Sequence, residues 1–165
     1  IQSYPGLAHR QEAADLIDGI AFVNDSKATN PDAAARALAC YKNIYWILGG
    51  RPKSDDLSSC LKYIESVHHV FLIGEGAPQF ARVLKEKTKL TNSGTLEEAV
   101  TSAFKKAKSD GLESPVILLS PACASYDQFS NFEERGDKFK TIAEGIIGEH
   151  LDPFENADMF SSVKN

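Results

Sequence analysis

The sequence has no apolar run that approaches the roughly 18 residues a membrane span needs. Its amino end also lacks the basic and apolar regions of a secretory signal peptide. Lysine and arginine are scattered along a chain of formal net charge -5, which argues against a nucleic-acid interface. These absences predict a cytoplasmic protein whose ligands are small molecules.

Sulfur-containing residues are also few. The only methionine is Met159 and the chain begins at Ile1, so we expect a piece of a longer polypeptide. The cysteines Cys40, Cys60 and Cys123 are odd in number and lack the spacing of metal ligands, which predicts reduced thiols and excludes a disulfide or zinc framework. The hydrophobic share of 42% and charged share of 25% exclude disordered and fibrous chains.

Short apolar runs alternate with helical patterns along most of the chain. This alternation predicts an α/β fold, a Rossmann-like three-layer sandwich with a mostly parallel sheet of about six strands. An opening hairpin with Asp18-Gly19 at its turn would supply one antiparallel edge strand. The predicted strands are 10–17, 20–24, 44–48, 70–73, 89–90 and 116–119. The first predicted helix begins at Pro31. The other four are predicted over about 57–66, 77–87, 95–108 and 139–148.

The same alternation of strand and helix patterns predicts the domain organisation. We expect a linker over residues 1–8, one folded domain over 9–148, and a loosely ordered tail over 149–165 without periodicity.

Polar loops follow three of the predicted strands. They are Asp25-Ser-Lys-Ala-Thr-Asn30, Arg51-Pro-Lys53 and the residues 120–125. Because the carboxyl ends of parallel strands share one edge of a sheet, these loops should converge there. Lysines, hydroxyls and the helix that opens at Pro31 would together bind a carboxylate or a phosphate. The alternative for either lysine alone is a solvated surface cation.

Two glycine-rich stretches do not form nucleotide motifs by themselves. Gly74-Glu-Gly-Ala lacks the third glycine of the dinucleotide fingerprint, and Gly49-Gly-Arg-Pro-Lys lacks the spacing of a P-loop. Cys123 is a conceivable nucleophile, but no histidine lies in the motif loops to activate it, so we favour a packing role. His68 and His69 are adjacent in a strand and would point to opposite faces, which argues against a metal pair.

Four stretches in this order resemble the carboxy-terminal domain of the bacterial Mur ligases, and within that family the D-glutamate-adding ligases. The resemblance covers residues 6 to about 147. Of the four stretches given next, the second and the fourth are long enough to be specific for this family. The stretches are Gly6-Leu-Ala-His-Arg-Gln-Glu12, Asn24-Asp-Ser-Lys-Ala-Thr-Asn30, Gly49-Gly with Lys53, and Leu119-Ser-Pro-Ala-Cys-Ala-Ser-Tyr-Asp-Gln-Phe-Ser-Asn-Phe-Glu-Glu-Arg-Gly-Asp137.

The resemblance implies one domain of an ATP-dependent amide ligase that adds D-glutamate to UDP-N-acetylmuramoyl-L-alanine in peptidoglycan synthesis. It implies that a central domain of the same polypeptide holds ATP and Mg²⁺, and that an amino-terminal domain holds the UDP-sugar. No metal ligand is expected from this chain. It implies that Lys27 acts in catalysis between amino acid and phosphate. The residues implied for D-glutamate are Thr29, Lys53, Ser125, Tyr126 through its backbone, and Phe132; those implied for the nucleotide are His9, Arg10, Asp25 and Asn30.

Two functions from other classes remain alternatives at this point. One is a stand-alone binding module for an acidic metabolite or nucleotide. The other is a cysteine-dependent hydrolase built on Cys123.

Overall fold

A six-stranded sheet runs through the part of the chain that the computed structural model describes, residues 7–150. The sheet order is β1-β2-β6-β3-β4-β5, and all neighbours are parallel except β1 and β2. The predicted fold class is therefore confirmed. The strands are β1 Glu12–Ile17, β2 Ile20–Asn24, β3 Ile44–Gly49, β4 Val67–Ile73, β5 Lys89–Gly94 and β6 Val116–Leu119.

The opening hairpin has the predicted turn. Asp18 and Gly19 both have positive φ, 53° and 79°, as the turn that matches the twist of two antiparallel strands requires. Ile17 pairs with Ile20 directly beside the turn, so the hairpin register is set locally.

Helices cover both faces of the sheet. The α-helices are α1 Pro31–Leu38, α2 Ser58–Leu61, α3 Ala77–Leu84, α4 Leu96–Asp110 and α5 Phe132–His150. The first three pack on one face against residues such as Trp46 and Leu48, and α4 and α5 pack on the other against Phe22 and Ile47. Since successive side chains of a strand point to opposite faces, both faces of β3 are apolar and the strand is buried throughout.

Two predicted helices were wrong in extent. The predicted helix over 57–66 is the single turn of α2 followed by a 3-10 helix, Ile64–Ser66, because β4 begins at Val67, which pairs with Ile44. The last helix begins at Phe132 rather than 139, because Asn131 Oδ1 accepts a hydrogen bond of 2.8 Å from the Glu134 N–H and caps the helix there.

Other boundaries differ by a few residues. β5 is six residues long rather than two, and α3 ends at Leu84. Most of the predicted linker and tail lies outside the described residues, so both stay predictions, although α5 already includes residues 149 and 150. No helix within residues 7–150 is both long and apolar enough to cross a membrane.

Candidate functional site

The strand order brings the three predicted polar loops together. β6 lies between β2 and β3, so the loops that follow these three strands leave the sheet side by side at its carboxyl edge. Backbone hydrogen bonds tie them: the Gly49 N–H donates to Pro121 O at 3.0 Å and the Arg51 N–H donates to Ala124 O at 2.9 Å. The predicted convergence is confirmed.

Buried polar groups anchor the loop after β6. The Trp46 indole Nε1–H donates to Ser120 O at 2.7 Å, and Ser120 Oγ–H donates to Asp25 Oδ2 at 2.7 Å. Ser120 is fully buried, and the Asp25 N–H donates to Leu119 O at 2.7 Å. The loops after β2 and β6 therefore share one hydrogen-bonded base.

Two glycines allow the loop after β3 to approach its neighbours. Gly49 and Gly50 have φ of 135° and 130°, which other residues rarely adopt. A Cβ on Gly50 would stand 2.5 Å from Ala124 O, and a Cβ on Gly49 would overlap Ile73 O. The Gly-Gly pair is therefore required for the close packing that brings Lys53 toward Ser125.

The three loops enclose a first cavity of about 300 Å³, here called the strand-end cavity. Ser125 is only 2% exposed, whereas Lys53 and Tyr126 are exposed, so the cavity has a hydroxyl at its buried side and a cation at its rim. Its lining residues are Thr29, Asn30, Lys53, Ala124, Ser125, Tyr126 and Phe132. All five residues expected to contact the amino acid lie together in this lining.

A second cavity of about 280 Å³, here called the β2 cavity, lies beside α1. Burial raises the pKa of the Asp25 carboxyl, while hydrogen bonds from Ser120 and the Gln11 N–H and the charges of Arg10 and Arg36 oppose that rise. Asp25 is therefore a nearly buried hydrogen-bond acceptor that lies among positively charged side chains. The lining residues are Arg10, Gln11, Asp25, Lys27, Ala28, Ala33 and Arg36.

Lys27 and Phe132 connect the two cavities. Lys27 lines the β2 cavity, Phe132 lines the strand-end cavity, and Lys27 Nζ stands 4.8 Å from the Phe132 ring centroid. Within residues 7–150, neither Lys27 nor Lys53 has a carboxylate within 4.0 Å. Two unpaired ammonium groups at one edge favour an anionic ligand.

Two residues expected to contact a nucleotide, His9 and Asn30, do not line the β2 cavity that Arg10 and Asp25 line. His9 is 6% exposed, with Nδ1 2.9 Å from Asn24 Nδ2 and its ring in edge contact with Phe132. Asn30 lines the strand-end cavity, and its Oδ1 accepts the Ala33 N–H at 2.9 Å as the N-cap of α1. Neither lines the β2 cavity, and their nucleotide contacts stay predictions.

Sequence reasoning missed two arginines, Arg36 and Arg135. Arg36 lies in the last turn of α1 and turns toward the β2 cavity, and Arg135 lies in the first turns of α5 with 1% exposure. A basic residue within a helical pattern is usually a solvated cation, so the sequence carries no strong signal for either. Arg135 belongs to the fourth stretch of the family resemblance, but only the packing of α5 shows where its guanidinium lies.

The glycine loop after β4 is closed to phosphate. The Glu75 N–H, which points out of this loop, donates to Asp127 Oδ2 at 2.9 Å, and Arg51 pairs with Glu75 at 3.2 Å. A carboxylate already occupies the position that a phosphate would take. This agrees with the incomplete dinucleotide motif in the sequence.

The environment of Cys123 disfavours a nucleophilic role. Cys123 is 1% exposed, and burial raises the pKa of its thiol to about 12. The reactive form of cysteine is the thiolate, which this burial suppresses.

A larger cavity of about 540 Å³ lies between α4 and α5, away from the strand ends. Its lining combines the apolar side chains of Phe104 on α4 and Ile146 on α5 with Lys105 and Lys108, which are both exposed on α4. No strand-end loop contributes to it, so we assign the candidate site to the two smaller cavities.

Comparison with known proteins identifies the family of this chain. The family model described as Mur ligase, glutamate ligase domain, matches residues 9–123. The UDP-N-acetylmuramoylalanine-D-glutamate ligase of Rhodospirillum rubrum is 53% identical over 140 residues, which is 85% of this chain and 29% of that protein. The ligase of the same name from Paramagnetospirillum magneticum is 49% identical over 146 residues, 88% of this chain and 32% of that protein. The chain thus spans about a third of the length of these relatives.

A solved structure supports the fold. The crystal structure of the UDP-N-acetylmuramate-alanine ligase MurC from Thermotoga maritima matches with a TM-score of 0.53 at 13% identity, covering 85% of this chain and 31% of that one.

Proposed function

Since the chain belongs to the Mur ligase family through its glutamate ligase domain, we propose that it is the amino-acid-binding domain of an ATP-dependent amide ligase. The substrate pair is D-glutamate and UDP-N-acetylmuramoyl-L-alanine, as the names of the similar ligases suggest. The observation that carries this proposal is the strand-end cavity, in which Lys53, Thr29 and Ser125 surround a space suited to a small anion.

D-glutamate matches the donors of that cavity. It has two carboxylates and one amine, and a carboxylate gains most from charge-assisted hydrogen bonds. Lys53 and the Ser125 hydroxyl bind the side-chain carboxylate, with the Tyr126 backbone beside Ser125. Thr29 contacts the α-carboxylate, and the Phe132 ring covers the carbon chain. The small cavity volume of about 300 Å³ suits a ligand of this size.

The β2 cavity faces the nucleotide. Three cations of its lining present positive charge to the phosphates of the nucleotide: Arg10, Lys27 and Arg36. Asp25 accepts hydrogen bonds from the hydroxyls of the nucleotide. His9 and Asn30 act on this face indirectly. His9 packs against Phe132, which contacts Lys27. Asn30 caps α1, the helix that contributes Ala33 and Arg36 to the lining. In this proposal other domains of the polypeptide hold Mg²⁺ and most of ATP, because the glycine-rich stretches of this sequence lack the spacing of a P-loop.

The chemistry requires this chain to position an amine. In the proposed reaction ATP transfers its γ-phosphoryl group to the carboxylate of UDP-N-acetylmuramoyl-L-alanine, which gives ADP and an acyl phosphate. The D-glutamate nitrogen then attacks the carbonyl carbon, a C–N bond forms, and the phosphate leaves with the electron pair of the broken C–O bond. The attacking nitrogen gives one proton to the departing phosphate or to water. Negative charge grows on oxygen during attack, and Lys27 stabilises that charge from the boundary between the two cavities.

The alternatives make different demands. A stand-alone binding module would bind its ligand with full affinity without any other domain. A hydrolase built on Cys123 would need a thiolate, and the high pKa of that thiol opposes one.

The testing experiment compares the full-length protein that contains this chain with the 165-residue chain alone. Each is mixed with ATP, Mg²⁺, the UDP-sugar acceptor and either D- or L-glutamate. We expect the full-length protein to release phosphate in step with amide product, detected by mass, for D-glutamate only. We expect no turnover from the chain alone, since its sequence has no P-loop. Turnover by the chain alone, or none by the full-length protein, contradicts the proposal.

A further inference from the structure

Arg135 is the charged residue whose burial is hardest to explain by stability alone. It is 1% exposed, a level that arginine reaches only when its guanidinium is fully bonded. It follows Phe132 by three residues on α5, so it lies one turn further along the helix that closes the strand-end cavity.

The guanidinium of Arg135 joins two loops. Its Nη2–H donates to Ser26 O at 2.7 Å and its Nε–H donates to Ser26 Oγ at 2.9 Å, both in the loop after β2. Its Nη1–H donates to Cys123 O at 3.0 Å in the loop after β6. Ser26 Oγ–H in turn donates to Phe132 O at 2.7 Å, which connects the start of α5 to the same group.

Each bonded atom stands next to a cavity-lining residue. Ser26 precedes Lys27 directly, and Cys123 precedes Ser125 by two residues. The loops are 109 and 12 residues away from Arg135 in sequence, so no local turn fixes their spacing. One rigid, planar group therefore bridges the Lys27 side and the Ser125 side of the site, in addition to the Ser120–Asp25 hydrogen bond at the base of the two loops.

The charge of Arg135 is bonded only to neutral oxygens. No carboxylate lies within 4.0 Å of it among residues 7–150, and burial lowers the pKa of its guanidinium to about 10, which still leaves it protonated at neutral pH. The Asp127 carboxylate opposes this lowering of the pKa without a direct contact to the guanidinium. A buried charge without a contacting counter-ion is costly. The retained charge points to a role in the site.

We propose that Arg135 is a positioning residue that holds Lys27 and Ser125 at the spacing needed to bind the amino acid and to transfer it. This inference rests on the proposed function, because Lys27 and Ser125 have their roles only there. Arg135 itself touches no substrate, and it acts through the peptide groups of Ser26 and Cys123.

The test uses the full-length protein with Arg135→Met, which keeps an unbranched apolar stem but removes the donors, and Arg135→Lys, which keeps the charge but loses the planar fork of donors. The matched control is Arg82→Met, an exposed arginine on α3. A misplacement of about 1 Å can cost about 100-fold in rate, so we expect both Arg135 variants to lose at least 10-fold in kcat and to gain at least 10-fold in KM for D-glutamate. The Arg82 variant should match the wild type in both constants.

A rescue experiment separates positioning from general stability. In Arg135→Ala, low millimolar guanidinium should restore part of the rate by filling the vacated space, and urea, which has a similar shape without charge, should not. A purely structural residue would lower the melting temperature without moving kcat or KM of the folded protein. Wild-type constants in a folded Arg135→Lys protein would overturn the proposal, even where Arg135→Met fails to fold.

A readout without substrate keeps this inference distinct from the proposed function. We expect Arg135→Lys to speed hydrogen exchange of the backbone amides over residues 25–30 and 122–126, and to leave those of β4 unchanged. Failure of the wild-type protein to ligate D-glutamate would remove the proposed function alone. Unchanged exchange in both loops would remove the role of Arg135 alone.

Discussion

Lys27 Nζ lies 4.8 Å from the centroid of the Phe132 ring, so a loop after β2 and the first residue of α5 meet across the site. An ammonium over an aromatic face gains about 0.5–2 kcal/mol, depending on how far water is excluded. The same ring packs edge-on against His9, with centroids 6.0 Å apart. Phe132 therefore contacts Lys27 while it also lines the strand-end cavity.

This contact predicts a difference between two substitutions of Phe132. In the full-length protein, Phe132→Leu should lower turnover about 5- to 30-fold, because the loss of roughly 1–2 kcal/mol of attraction lets Lys27 leave its position. Phe132→Tyr keeps the ring face and should stay within a few-fold of the wild type. Steady-state kinetics at saturating substrates measure both. Equal turnover in the two variants would show that the ring face does not position Lys27.

A pair of glycines in α5 gives a stability prediction with an internal control. A Cβ on Gly136 would overlap the His9 ring, which is buried and fixed by Asn24, whereas a Cβ on Gly145 would meet nothing within 4 Å. We expect Gly136→Ala to lower the free energy of unfolding by about 1–3 kcal/mol through overpacking. Gly145→Ala should raise it by up to about 1 kcal/mol through helix propensity. Denaturant titration of both variants checks the two signs, and a stabilised Gly136→Ala would contradict the packing around His9.

The position of the site could be predicted because it follows from chain topology. Parallel strands end at one edge, so the loops with Lys27, Lys53 and Ser125 were expected on that edge. Their direct contact follows from the strand order, which places β6 between β2 and β3. The hairpin was equally local, since Asp18-Gly19 determines its own turn. These features depend on residues close in sequence or on the sheet edge alone.

The cap of α5 at Asn131 is local, but the helix residues that follow it have partners far away in the sequence, and these obscured the start of the helix. Gly136 weakens the helical pattern by about 1 kcal/mol, and the Glu-Glu-Arg-Gly-Asp stretch resembles a polar loop. A glycine is needed at position 136 because a Cβ there would overlap His9, which lies 127 residues earlier in the sequence. Arg135 is similar: its burial depends on Ser26, which is 109 residues away. Helix residues whose partners are that distant look like surface residues in sequence.

Thiol reactivity tests the hydrolase alternative. Burial raises the pKa of both Cys123 and Cys60 to about 12, so roughly one thiol in 10,000 is ionised at pH 8. We expect iodoacetamide to modify the exposed Cys40 and to spare the other two in the native protein, as peptide mass spectrometry would record. Cys123→Ala should keep most of the ligase rate. Rapid native alkylation of Cys123 with parallel loss of activity would revive the nucleophile.

Lys53 and Ser125 should determine affinity for the amino acid. They lie in loops after different strands and line one cavity, so we expect them to contact the carboxylate equally before and during reaction. Loss of such a contact raises KM and spares turnover. A charged hydrogen bond of roughly 1.5–3 kcal/mol predicts a 10- to 100-fold higher KM for D-glutamate in Lys53→Ala, and a rise in Ser125→Ala. The control is Lys85→Ala, at the exposed end of α3. An unchanged KM in Lys53→Ala would remove that residue from the amino-acid site.

Lys27 should show the opposite kinetic effect. It lines the β2 cavity beside Asp25 and reaches the strand-end cavity only at Phe132, where the amine and the acyl phosphate would meet. Charge on the attacked oxygen exists mainly in the transition state, so removal of the ammonium should lower turnover rather than binding. We expect Lys27→Ala to lose at least 100-fold in kcat with KM for D-glutamate within a few-fold, measured at saturating ATP and acceptor. Lys27→Arg keeps the charge and should recover part of that loss. Wild-type kcat in Lys27→Ala, or a change confined to KM, would mean that Lys27 binds the amino acid and that another group stabilises the oxygen.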